Sequence, residues 1–208
     1  MMPSHPPVAF FDFDGTLTRG DSLMPFLRQL AGTPKFLLEI SLLSPVLAAY
    51  LCGWIRNDRA KVAVLKRLLR GRHRDELFRA GTQFSRSFLP KMLRPEGMER
   101  LQWHQSEGHC CVLVSASLDV YLETWAREHG MDALICSQLI YDHELATGEL
   151  AGNNCFGPEK VKRVQAWLKE RQVATTYAYG DSKGDLPLLR TATYGHLWNG
   201  RQFVQVET

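Results

Sequence analysis

The stretch Val8–Asp21, VAFFDFDGTLTRGD, decides how the chain is read. Its first four residues are apolar without alternation, the pattern of a strand buried on both faces. Asp12 and Asp14 follow at alternate positions, then Gly15 and Thr16. Two carboxylates so close at the mouth of a buried strand repel each other. They are either solvated loop acids or ligands for something positive placed between them. A calcium loop beginning at Asp12 is excluded, because its bidentate acid would fall on Leu23 and the loop is entered from a strand.

Downstream of this stretch the pattern is helical from about Ser22 to Glu107, cut into several helices by Pro25, Pro34, Pro45, Pro90 and Pro95. Strands and helices then alternate. Cys110–Ser115 reads as a buried strand, and Leu118 to His129 as a helix closed by Gly130. ALICSQLIYDHELATGEL holds a strand and a hairpin about Ala146–Gly148. A helix from Pro158 to Arg171, a strand at Thr175–Gly180, a short helix near Leu186–Arg190 and a last strand near Tyr194–Trp198 complete the series. Such alternation predicts an α/β fold, a Rossmann-like parallel sheet with helices on both faces. The helical block interrupts it directly after strand one and reads as an inserted helical cap. The chain then divides into a core of residues 1–17 and 91–208 and a cap of residues 18–90.

A length of 208 residues suits one large domain or a domain carrying an insertion. A composition 45% hydrophobic and 23% charged excludes a disordered chain, and a formal charge of +3 is too weak to imply nucleic acid. The five cysteines are odd in number and form no C-x-x-C pair, which points to a reduced, cytoplasmic protein and away from a zinc site. MMPSHPP has neither the basic start nor the apolar stretch of a signal peptide and reads as a short disordered tail. The run Phe36–Ile55 has the length of a membrane span but contains Glu39, Pro45 and Gly53. It reads as one or two buried helices broken near Ser44–Pro45. Arg56–Arg74 follows at once, with eight Lys or Arg against Asp58. This is the solvated basic face of a cap helix or, joined to the apolar run, a surface for anionic headgroups and peripheral membrane contact.

In open parallel sheets ligands bind outside the carboxyl ends of the strands. That rule selects Asp12–Thr16, Ser115–Ser117, the region before Pro158, and Gly180–Asp185. These places supply carboxylates, hydroxyls and a lysine in the first turn of a helix: Lys160, with Lys162 and Arg163 as competitors. Carboxylates with few histidines nearby suit Mg²⁺ rather than zinc. A lysine, hydroxyls and helix N-termini suit phosphate. Together they describe phosphoryl transfer, and an ion among Asp12, Asp14 and Asp181 would relieve the repulsion at the strand mouth.

DFDGTLT, the strand ending VSAS, GPEKV and YGDSKGDLPLL resemble, in order, the four motifs of the haloacid dehalogenase superfamily of phosphatases. The similarity is to its subfamily IB, the phosphoserine-phosphatase-like branch, which carries a helical cap after strand one. The resemblance implies a Mg²⁺-dependent hydrolase of small phosphorylated metabolites that works through an aspartyl-phosphate. Asp12 would be the nucleophile, and Asp14 would protonate the leaving group and later deprotonate water. Ser115 and the main chain at Ala116 would hold the phosphoryl oxygens, with Lys160 pairing their charge. Asp12, Asp181 and the Asp14 carbonyl would bind Mg²⁺, and Asp185 would orient that shell. Asp21 would contact the substrate. The chain departs from the branch in two places: no cap arginine matches clearly near Leu65–Lys66, and Gly184 stands where many relatives carry Asn. The apolar-then-basic cap is also similar to that of bacterial phosphatidylglycerophosphate phosphatases, which implies a phospholipid head group as the alternative substrate. Two further readings share every site residue: a phosphate-ligand binding protein without turnover, and a phosphoryl transferase with an acceptor other than water.

Overall fold

The computed structural model describes residues 5–207. Eight strands run in chain order as β1 (Val8–Phe11), β2 (Cys110–Leu118), β3 (Ala133–Ser137), β4 (Leu139–Asp142), β5 (Leu145–Leu150), β6 (Thr176–Gly180), β7 (Tyr194–Trp198) and β8 (Phe203–Gln205). Six of them form one sheet in the order β3-β2-β1-β6-β7-β8, parallel except for β8. Six α-helices lie between β1 and β2, the first five being α1 (Leu23–Ala31), α2 (Thr33–Leu42), α3 (Ser44–Leu51), α4 (Asn57–Leu69) and α5 (Arg74–Ser87). Then come α6 (Pro95–Ser106), α7 (Asp119–Glu128), α8 (Pro158–Leu168) and α9 (Leu186–Thr191).

The unbroken apolar runs are explained by the two faces they serve. Along β1, Ala9 and Phe11 enter one hydrophobic cluster, with Leu101 of α6 and Trp125 of α7. Val8 and Phe10 enter the other, with Val164 of α8 and Leu188 of α9. Cys111 and Leu113 of β2 likewise separate from Val112 and Val114. Successive side chains of a strand point to opposite faces, so a strand covered on both sides needs apolar residues at every position.

The strand order reverses at β1, between β2 on one side and β6 on the other. Phe11 pairs with Leu113 and with Tyr179, so the three strands reach the same edge side by side, about 5 Å apart, with β2 running on to Leu118. This is the switch point at which such sheets bind ligands.

Several details differ from the sequence reading. The hairpin turn lies at His143–Glu144, both with positive φ, and Ala146–Gly148 belongs to β5. Gly148 lies in that strand at φ +78° and also permits a close approach: a Cβ there would fall 2.4 Å from the Lys66 Cα of α4. A last strand, β8, follows an Asn199–Gln202 turn that Asn199 caps through its side chain. In the expected tail, His5 bridges to Val173 and the Pro7 carbonyl accepts from Cys110 N–H, because β2 and β6 extend alongside. Residues 1–4 of that tail lie outside the described residues.

The apolar run Phe36–Ile55 is broken at Leu43, close to the expected place, but it is not buried. Phe36 is the single buried residue of α2, and α3 has none. Among the described residues no helix is long and apolar enough to cross a membrane by itself. The chain enters and leaves the inserted helices through one short ribbon, in which Arg19 N–H bonds Met92 O and Arg94 N–H bonds Leu17 O.

Candidate active site

Asp12 stands one residue beyond β1, its N–H held by Tyr179 O at 3.0 Å. The chain then makes a wide turn in which Thr18 N–H reaches Phe13 O, with Gly15 at φ +83°. Gly15 meets a second demand, since a Cβ there would overlap the Asp181 carboxylate at 2.0 Å. The turn carries Asp14 sideways. Its Oδ1 accepts from Ser22 N–H at 2.8 Å, and its Oδ2 accepts from the Ser117 hydroxyl. Ser22 Oγ lies 3.1 Å from Tyr121 Oη and 3.3 Å from Ser117 Oγ, so Asp14 is fixed by a buried hydroxyl network. Burial and the charge of Asp21 raise the Asp14 carboxyl to about 6, while the Ser117 and Ser22 bonds act the other way.

Lys160 arrives from the first turn of α8 and is buried at 2% exposure. Its ammonium donates to Asp12 Oδ1 at 2.5 Å and to Asp185 Oδ1 at 2.6 Å. Of the three candidate cations, Lys160 is the one turned inward. Arg163 bonds the Cys136 and Asn153 carbonyls instead. Burial opposes the Lys160 charge, but the two carboxylates outweigh it and raise its pKa. Burial also raises Asp12, against the pull of Lys160. At Asp185 burial acts upward too, yet Lys160 and the Ser182 bonds hold the carboxyl below its usual range. Thr16 Oγ1 supplies Asp12 Oδ2 at 3.1 Å.

Asp12, Asp181 and Asp185 each bring a carboxylate oxygen within 4.8 Å of the other two. Three buried or half-buried acids face the single ammonium of Lys160, which leaves negative charge where solvent screens poorly. Burial and the charge of Asp185 raise Asp181 accordingly. A hard divalent cation with oxygen ligands fits this donor set. The Asp14 side chain is held by Ser22 and Ser117 and stands outside the trio.

A cavity of about 350 Å³ opens beside these groups. Asp12, Asp14, Ser115, Ala116, Lys160 and Asp185 line its floor, and the side chains of α1, α3 and α4 cover it. Ser115 is buried, with its Oγ accepting from Ser117 N–H at 3.0 Å. Asp21 lies at the exposed rim, where its Oδ2 accepts from Met24 N–H at the start of α1. Gly184 leaves room for the Phe156 ring, which a Cβ would approach to 2.5 Å.

Sequence reasoning missed Lys61. From α4 its ammonium reaches the Ala116 carbonyl and, at 3.0 Å, Asn154 Oδ1. Burial lowers its pKa to about 8. It was one of eight cations in a run read as an outward face, and no local signal distinguishes it; helical phase against Ala60 and Val64, both buried, is the nearest hint. Asn154 was missed as well. It also accepts from Ser137 Oγ at 2.8 Å and donates to Asn57 Oδ1 at 2.8 Å, tying α4 to the loop before α8. Arg94 donates to the Gly15 carbonyl at 3.0 Å and stacks on Trp198, bracing the turn from behind.

A doubly covered parallel sheet, with acids, a buried lysine and hydroxyls gathered at its switch point, has the architecture of an α/β hydrolase. The chain belongs to the haloacid dehalogenase-like hydrolase family, whose model matches residues 9–190. It is 35% identical over 192 residues to the protein CicA of Caulobacter vibrioides, covering 92% of this chain and 85% of that one. Relatives matched over about half of its length are phosphatases. Among solved structures, a protein of unknown function from Bordetella pertussis Tohama I superposes with a TM-score of 0.77 at 26% identity, over 91% of this chain and 88% of that one. A substrate-bound phosphoserine phosphatase shares the fold, with a TM-score of 0.66 at 16% identity over 93% and 85% of the two chains.

Proposed function

We propose that this chain hydrolyses a small phosphomonoester through an aspartyl-phosphate on Asp12, with Mg²⁺ as cofactor. The observation that carries the reading is the buried Lys160 ammonium held between Asp12 and Asp185, with Asp181 in the same cluster. A carboxylate approaching a phosphate meets like charge. At about 4 Å and an effective dielectric near 20, each unit pair costs about 4 kcal/mol, roughly a thousandfold in rate. Lys160 offsets one such pair.

An Asp12 oxygen attacks phosphorus, and the bond from phosphorus to the substrate oxygen breaks. Asp14, held at the cavity floor by Ser22 and Ser117, gives the departing alkoxide its proton. Water then attacks the phosphorus of the acyl phosphate, Asp14 takes its proton, and Asp12 is released with inorganic phosphate. Ser115 and the main-chain N–H groups after β2 hold the phosphoryl oxygens. Mg²⁺ bound by Asp12, Asp181 and the Asp14 carbonyl would add positive charge beside those oxygens, with Asp185 orienting the shell. Residues 18–90 act as the cap over a core of residues 1–17 and 91–208. Asp21 and Lys61 face the substrate's leaving group from the rim and the roof.

Phosphate release from a panel of esters, with Mg²⁺ and with EDTA, tests this. Phosphoserine, other soluble monoesters and micellar phosphatidylglycerophosphate belong in the panel. Release from soluble esters should require Mg²⁺ and fall by about a thousandfold or more in Asp12→Asn. Full activity in that variant overturns the mechanism. Ligand binding without release in saturating Mg²⁺ would make the chain a binding protein, and a phosphorylated acceptor among the products would make it a transferase. Release from micelles alone would favour a head-group phosphatase. One feature supports that second reading: Leu47 and Tyr50, which line the cavity, belong to the outward-lying α3.

A further inference from the structure

The most apolar helix of the chain is also the least covered. α3 reads SPVLAAYL and buries no residue. With α2 and the loop after it, α3 forms an elbow bent by 61°. Leu37, Leu38 and Leu42 are each more than half exposed, and Leu51 and Trp54 stand 82% and 83% exposed. Single exposed apolar residues need no explanation, but five large ones within one short elbow are the kind of exposure that marks an interaction surface. A helix apolar all round is normally buried in protein or in lipid.

We propose that this elbow docks the protein on an anionic lipid bilayer, lying in the interface without crossing it. At 1.5 Å per residue the two helices reach only about 15 and 12 Å, against a hydrocarbon core of about 30 Å. The charge around the patch selects the occupant. Between Gly32 and Asn57 the one acid is Glu39, and Arg67 of α4 takes it up in an ion pair. Lys35, Arg56 and Arg59 stand exposed at the two ends of the elbow, and of these Arg56 pairs with Asp58. Apolar residues flanked by cations match a bilayer with anionic headgroups. A second copy of the chain fits less well, since two-fold pairing would bring the cationic ends of two elbows together. Docking here places the mouth of the cavity, lined by Leu47 and Tyr50 on the same helix, at the boundary between lipid and water. The inference concerns binding and stands whether or not the site turns over.

Sedimentation of the full chain with phosphatidylglycerol–phosphatidylcholine vesicles, and with phosphatidylcholine alone, tests it without any measure of activity. Binding should favour the anionic vesicles and weaken as salt is raised. The double variant Leu51→Ser and Trp54→Ser removes only exposed groups and should bind about tenfold or more weakly. Circular dichroism and size-exclusion chromatography of the same variant confirm that it folds and report its association state. No binding to anionic vesicles at low salt overturns the proposal, and so does undiminished binding by the variant. A concentration-dependent dimer that the variant abolishes, with no vesicle binding, would assign the elbow to a second copy and overturn the lipid reading.

Discussion

At the scale of single residues, the site turns on one ammonium. Lys160 is as buried as the core phenylalanines, and a lone lysine at such a depth would lose its proton. It keeps it because Asp12 and Asp185 lie 2.5 and 2.6 Å away. The dependence runs both ways. Lys160→Met leaves two buried carboxylates without their partner, a change that typically costs about 3–5 kcal/mol, well beyond what the apolar replacement recovers by packing. Urea unfolding should show that loss together with loss of phosphate release. A stability within about 0.5 kcal/mol of the parent chain would mean that the pair contributes little.

Lys61 teaches a complementary lesson about the same charge type. Its neighbours Lys66 and Arg67 serve exposed ion pairs with Glu149 and Glu39, and such pairs contribute little. Three residues of one basic run thus have unlike roles, and residue type alone does not sort them.

At the scale of elements, the inserted helices are anchored through α5, which packs on α7 so closely that Gly81 is indispensable. A Cβ at Gly81 would fall 1.9 Å from the Val120 carbonyl oxygen. Alanine is the better helix former by about 1 kcal/mol, so propensity alone predicts a more stable Gly81→Ala chain. The overlap is with main chain, which cannot swing aside as a side chain does, so α5 must move off α7 and disturb the contact of Phe84 with Tyr121. Strain of this kind typically costs about 1–3 kcal/mol and should win. Thermal melts should show a lower Tm for Gly81→Ala, and an unchanged or higher Tm would mean that the helices separate freely.

At the scale of the whole molecule, one buried histidine links pH to stability. His104 is fully buried, with Nε2 3.0 Å from Tyr179 Oη and Nδ1 2.8 Å from His109 Nδ1. Burial, with the charges of His109, His196 and Arg100, lowers its pKa to about 4. In the unfolded chain the value is about 6.5. Between these values the unfolded state binds the proton that the native state refuses, so stability rises with pH across that window. The contribution is fully present above about 6.5 and fades as the pH falls toward 4. Other groups titrate in the same range, so the informative quantity is a difference. The Tm gap between the parent chain and His104→Gln should be widest at pH 7.5 and narrow by pH 5. A gap independent of pH would show that His104 acts through packing alone.

Much of this protein is determined locally and was legible in the chain. Val8–Phe11 announces a doubly covered strand because burial on both faces demands apolar residues at each position, and the alternation after Cys110 implies a parallel sheet through the crossovers it requires. The carboxyl-edge rule then marks Asp12–Thr16, Ser115–Ser117 and Gly180–Asp185, because the ends of neighbouring parallel strands share one edge. The choice of Lys160 over Lys162 and Arg163 rests on the motif resemblance and on its inward direction in the fold. What tertiary structure alone decided depends on which surface meets which. The turn at His143–Glu144 carries no glycine, and Gly148 answers to α4 across the fold as well as to its own positive φ. Lys61 points inward because α4 roofs the cavity, and α3 stays uncovered because no other element of the described chain packs over its outer face. Periodicity reports that a helix has an apolar side. The partner of that side is set by elements distant in the chain, and a one-dimensional pattern carries no record of them.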